Sequence, residues 1–178
     1  MGNAVCGFKN FHYCLRTALA VPVPMPGAVR LTREPQMNEI KIVPNAVGAP
    51  EEYVIGHREG VIRLNLEVVS LPQSFLTDVL GYTIDANGVL VENGHPVVHF
   101  ALLYETQSTD SGAARHCYYD CVCKKPKYDV TTLSGSSRFD TRTLEIIANR
   151  DIFGSGAFKK SVGEASTATF TAWFNSLY

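Results

Sequence analysis

Between Val61 and Val69 apolar and polar residues alternate without a break. Ile62, Leu64, Leu66 and Val68 fall on one side, and Arg63, Asn65 and Glu67 on the other. That period of two predicts a strand with one face in a core and the other toward polar surroundings. The period then changes. Phe75, Leu76, Val79 and Leu80 make an apolar stripe at helical spacing. Ser70 with Gln73 three residues on reads as a capping box, Pro72 suits a first turn, and Gly81 supplies the stop. The pattern thus predicts a helix of about ten residues that must pack on a sheet to persist.

Further along, Asn87-Gly88 predicts a two-residue turn within a hairpin over Ile84–Asn93, because both residue types accept positive φ. Val97–Glu105 is apolar on both faces and predicts a central strand. Arg115–Lys124 and Arg142–Ala148 predict two more strands, the last with Leu144 and Ile146 facing in. Gly7–Ala20 predicts an early, bent strand, broken by Pro22, Pro24 and Pro26. Ala28–Arg33 offers another. In the C-terminal segment Phe170, Trp173, Phe174 and Leu177 at helical spacing favour a short helix. Short apolar runs with frequent turn signals predict one mainly β (α+β) domain, a sandwich or barrel with one flanking helix.

Pro35–Gly56 breaks the pattern. It holds three prolines and two glycines around two short strand-like pieces. An irregular stretch of this length is uncommon within a compact domain. It predicts a long loop arm, either mobile or ordered against a partner.

Composition narrows the function classes. A net charge of −1, with lysines clustered only at 124–127 and 159–160, gives no basic stripe for gripping DNA. No stretch is apolar enough for a membrane helix, and no signal peptide is evident, so the expected site of synthesis is the cytoplasm. Five cysteines, three of them spaced Cys117-x3-Cys121-x-Cys123, match no common zinc pattern and suggest free thiols. Alternation on a strand would put those three on one face. The histidines form no metal-binding pair, and no phosphate loop or nucleophile elbow is present. Catalytic residues, cofactors and metals are accordingly all expected to be none.

Gly27-Ala28-Val29-Arg30-Leu31, Leu66-Glu67-Val68 and Phe75-Leu76-Thr77-Asp78-Val79-Leu80-Gly81 follow one another along the chain. Asn87–Asn93, Phe100–Glu105 and Arg115–Tyr119 come next, with Gly7–Tyr13 and Trp173-Phe174 at the two ends. In this order the segments resemble the major tail proteins of long-tailed, non-contractile phages. The resemblance is collinear over most of the chain and departs at Pro35–Gly56.

That resemblance implies a tail-tube fold and a structural virion protein. Six subunits would join their sheets into a ring, and rings would stack into the tube through which genomic DNA is ejected. The implied partners are other copies of the chain and tape-measure, tail-terminator and distal-tail proteins. DNA would pass without specific binding, and the final location would be the virion tail. Glu39, Lys41, Glu51, Glu52 and Tyr53 on the arm are the expected contacts between rings, with Phe8, Phe11, Trp173 and Phe174 as further contacts or as core. A monomeric β-sandwich that binds a ligand or receptor is the alternative, and an enzyme using the thiol strand is a third.

Overall fold

The computed structural model describes residues 5–16, 21–42, 53–94, 96–108, 112–126, 141–151 and 157–177. Glu51, Glu52, His95 and the Gly154–Gly156 link therefore lie outside the described residues, as does the side chain of Tyr53.

The chain is mainly β, as the alternation predicts. It runs β1 (Val5–Leu15), β2 (Val23–Pro24), β3 (Ala28–Ile42), β4 (Tyr53–Val68), α1 (Gln73–Asp78), β5 (Thr83–Ile84), β6 (Leu90–Val91), β7 (His99–Ser108), β8 (Gly112–Cys123), β9 (Arg142–Asn149), β10 (Lys159–Gly163) and α2 (Thr167–Ala172). Eight strands form one antiparallel sheet, seven in the order β2-β1-β7-β8-β9-β4-β3 and the eighth, β10, paired with β8. The second edge of β8 is shared: residues 114–118 pair with β10, and residues 120–123 with β9. The sheet divides there into two layers. Only Met25, Pro26 and Gly27 join β2 to β3, the two ends of the strand order. Gly27 approaches the chain just past β4 so closely that a Cβ would overlap the carbonyl oxygen of Ser70, while its own carbonyl accepts from Val69 N–H at 2.8 Å.

One apolar core fills the space between the layers. Tyr13, Phe100, Leu102 and Tyr118 enter it from one side and Ile62, Leu64, Leu66, Val68, Leu144 and Ile146 from the other. Phe75, Val79 and Leu80 of the α1 segment join it. Phe75 meets the rings of Tyr13 and Phe100 edge-on, at centroid distances of 5.1 and 5.9 Å. A second, smaller cluster lies on the outer face of β1, β7 and β8, where Trp173 covers Cys14, Ala101, Leu103, Cys117 and Tyr119. Cover on both faces explains why Phe100–Glu105 is buried throughout.

Two bulges set which residues reach the core. Lys9 pairs with Glu105 but His12 with Leu103, so β1 holds one extra residue, and Asn10 takes φ +53° there. A bulge reverses the phase of a strand. Phe8, Phe11 and Tyr13 can therefore all face inward although 8 and 11 differ in parity. On β8, Phe100 pairs with Cys121 but Leu102 with Tyr118. Cys117 consequently packs in the outer cluster while Cys121 and Cys123 pack in the core. The expectation that all three thiols share a face fails because alternation ignores this bulge.

Three other expectations change. The helix spans six residues, Gln73–Asp78, with Pro72 at its N-cap and no side-chain cap, so Ser70 does not close a capping box. Gly81 does end it: at φ +76° it lets Tyr82 N–H reach the Leu76 carbonyl at 3.0 Å. The 83–91 hairpin forms, but its turn begins at Asp85, whose carboxylate accepts from Asn87 and Val89 N–H, and only Gly88 takes positive φ. The short C-terminal helix expected around Phe170 does form, as α2, with β10 before it. The arm is not a loop over its described length. The ladder between β3 and β4 continues to Lys41↔Val54 and Ile42↔Tyr53.

Candidate assembly surface

The β3–β4 ladder has two halves of different character. From Ala28 to Pro35 it is part of the body, because β9 supports β4 over Ile62–Val68. Beyond Ile62 that support stops. Tyr53–Val61 and Met37–Ile42 form a two-stranded ribbon whose outer edges meet no other strand among the described residues. At about 3.4 Å per residue, the six paired positions from Met37 to Ile42 project roughly 20 Å. Strand edges with unpaired N–H and C=O groups are templates for further pairing. A two-stranded hairpin is marginally stable alone. Val29, Met37 and Val61 add exposed apolar surface along this element, at 50%, 58% and 37% exposure.

Glu39 and Lys41 both sit on the ribbon, exposed, and pair with each other at 3.5 Å. Tyr53 opens β4 opposite Ile42. The four aromatic candidates lie in the body. Phe11 is buried among core residues and stacks on Tyr104 at 5.6 Å, with Phe8 half-buried and edge-on to it at 5.5 Å. Trp173 is buried over the outer cluster, and Phe174 stacks on His12 at 4.5 Å. Phe11 and Trp173 therefore spend their surface inside the subunit, which leaves Phe8 and Phe174 the more accessible pair.

Sequence patterning missed a polar network that fastens α2 to the sheet. Glu105 is 3% exposed and receives hydrogen bonds from Arg115 Nε at 2.8 Å and Asn10 Nδ2 at 3.2 Å, with Lys9 Nζ at 3.3 Å. Burial pushes its carboxyl up, but these partners, Arg115 foremost, hold it below the ordinary value. The Arg115 guanidinium lies over the Phe170 ring at 3.9 Å and the Phe174 ring at 4.8 Å, and donates to the Phe170 carbonyl. Two other buried carboxylates are also paired, Asp120 with His99 Nδ1 at 2.6 Å and Asp151 with Arg16 Nη1 at 3.0 Å. A lone charged residue in an otherwise apolar strand, such as Glu105, is the signal that could have revealed the network.

The four described thiols are poor nucleophiles. Burial raises the Cys14 and Cys121 thiols and pushes Cys117 and Cys123 up to about 12. Among the described residues no group of three or more His, Cys, Asp or Glu gathers to hold a metal. No described helix is long and apolar enough to cross a membrane. What the geometry offers is surface for pairing, in the ribbon edges above all. No protein-family model matches the chain, and no curated protein matches it.

Proposed function

We propose that this chain is a tail-tube subunit of a long-tailed, non-contractile phage, which joins copies of itself into stacked hexameric rings forming the conduit for genome ejection. The observation that carries the proposal is the projecting β3–β4 ribbon. Its paired strands run past the last residue that the body supports, and both of its edges lack a strand partner among the described residues. Ordering such a ribbon costs conformational entropy that its own ladder scarcely repays. Contact with a neighbouring copy would supply the missing pairing, and cyclic symmetry would satisfy every edge in a closed ring. The collinear resemblance to major tail proteins supports the same reading. So does the absence of a basic stripe, since phosphate contacts would hold DNA in a lumen it must leave.

Negative-stain microscopy with light scattering across a concentration series tests the proposal. The full chain is expected to form rings or hollow tubes as concentration rises. A shortened chain, with Glu34 joined to Arg63 through Asn-Gly, should keep a native circular dichroism spectrum and stay at monomer mass. Tubes built by the shortened chain would remove the ribbon from the assembly. A full-length chain that stays monomeric at every concentration and binds a ligand or receptor would favour the monomeric binding module instead.

A further inference from the structure

We propose that Asn93 is a site of spontaneous covalent modification, where the Gly94 amide nitrogen closes on the Asn93 side chain and converts it to aspartate and isoaspartate. The chain holds two Asn-Gly pairs, Asn87-Gly88 and Asn93-Gly94, and both lie exposed on the excursion that carries β5 and β6. Asparagine before glycine favours this reaction, because glycine has no Cβ to obstruct its own amide nitrogen. In sequence the two pairs are equivalent. Their surroundings in the fold separate them.

The reaction begins when the glycine N–H gives its proton to water or hydroxide. The nitrogen then bonds to the asparagine Cγ, and the side-chain nitrogen leaves as ammonia. Water opens the succinimide ring so formed at either carbonyl. One opening gives aspartate. The other gives isoaspartate, whose main chain runs through the side-chain carbon.

Asn87-Gly88 is guarded against the first step. Gly88 N–H donates to the Asp85 carbonyl at 3.0 Å, and Asp85 N–H donates to the Val89 carbonyl at 3.0 Å. The Asp85 carboxylate accepts from the N–H groups of Asn87 and Val89, at 2.8 Å each. A bonded N–H must break its bond before its proton can leave. A carboxylate held by the amides on either side also disfavours negative charge on the nitrogen between them.

Asn93-Gly94 lacks these guards. The β5–β6 ladder ends at Thr83↔Val91, two residues before Asn93. Among the described residues Gly94 N–H makes no hydrogen bond, and a Cβ placed on Gly94 would meet nothing within 4 Å. The adjoining carboxylate, Glu92, is paired with Lys125 Nζ. Asn93 is held by the atom that must leave: its Nδ2 donates to Thr83 Oγ1 at 2.7 Å, so a hydroxyl stands where departing ammonia takes up a proton. The competing account is that this same bond pins the carboxamide and protects it. That account predicts that Asn93 reacts no faster than Asn87.

Peptide mapping by mass spectrometry separates the two accounts. The folded full chain is incubated at mildly alkaline pH and digested with a glutamyl endoprotease, which cuts after Glu92 and puts the two asparagines in different peptides. Amide-to-acid exchange should accumulate at Asn93 at least roughly fivefold faster than at Asn87, the worth of one net hydrogen bond. Gly94→Ala, whose methyl group has room, should suppress exchange at Asn93 without altering the circular dichroism spectrum. Asp85→Ala should raise the Asn87 rate toward that of Asn93. In guanidinium the two rates should converge. Equal or reversed rates in the folded chain would overturn the assignment. So would an Asn87 rate unmoved by Asp85→Ala, or a difference that survives unfolding.

Discussion

Replacing Arg115 with methionine removes one charged head while keeping most of the apolar stem. The change strips the 2.8 Å hydrogen bond from Glu105 and the contacts to the Phe170 and Phe174 rings. Breaking a buried pair by deleting one partner costs about 3–5 kcal/mol. Glu105 keeps Lys9 and Asn10, so its share falls toward the low end, about 2–3 kcal/mol. The ring contacts, half-exposed, add about 0.5–1 kcal/mol. The expected loss is therefore about 3 kcal/mol. Trp173 is the only tryptophan and packs beneath α2, so its fluorescence reports the docking of that helix directly.

Urea titrations followed by tryptophan emission and by far-ultraviolet circular dichroism give both readings. The emission transition should come first in the variant, because α2 lets go before the sandwich opens. Acid behaviour supplies a second check. Glu105 sits below its ordinary value of 4.5, so its stabilisation is present above that pH and lost as pH falls through the folded value. Without Arg115 burial gains the upper hand, the folded value rises, and acid unfolding should begin at higher pH. Lys124→Met is the matched control, since its 2.6 Å pair with Glu145 is more than half exposed on both sides. It should cost at most about 0.5 kcal/mol. A loss in the Arg115 variant no larger than in this control, with coincident transitions, would refute the reasoning.

Three shorter predictions accompany it. Phe75→Ala should cost about 3–5 kcal/mol in the same titrations, because the side chain is fully buried and anchors a helix too short to stand alone. Ellman's reagent at pH 8 should find Cys14, Cys117, Cys121 and Cys123 unreactive in the folded chain, with all of them labelled in 6 M guanidinium. His116 is held near 4 against an ordinary 6.5, so the unfolded chain takes up its proton first as pH falls, and stability should decline between those values. His116→Gln should flatten that slope, and an unchanged slope would assign it to other groups.

The core was legible because it obeys simple periods. Ile62, Leu64, Leu66 and Val68 are all fully or nearly fully buried, as alternation requires. Phe100–Tyr104 declared a strand covered on both faces by its unbroken apolar run. What escaped notice obeys other rules. The ribbon past Pro35 buries little, so its strands are held by backbone pairing, and backbone pairing leaves no apolar rhythm in the sequence. β10 is a polar edge strand, Lys159–Gly163, for the same reason. The bulge on β8 is a backbone event between ordinary residues, and it moved Cys117 to the other face.

The strand order also fixes when each part of the molecule can exist on the ribosome. β1 is made first, yet its partner β7 begins at His99, and β9 and β10 come later still. The ladder between β3 and β4 joins neighbours in sequence, so it is the first long native pairing the growing chain can close. Local pairings form fast and distant ones slowly. At about 5–20 residues per second, the interval between the emergence of β4 and that of β9 lasts several seconds. Throughout it the apolar row of β4 lacks its lateral neighbours Leu144 and Ile146, a window in which a holding chaperone would find its natural client. The ribbon that projects from the finished body is thus older than the body.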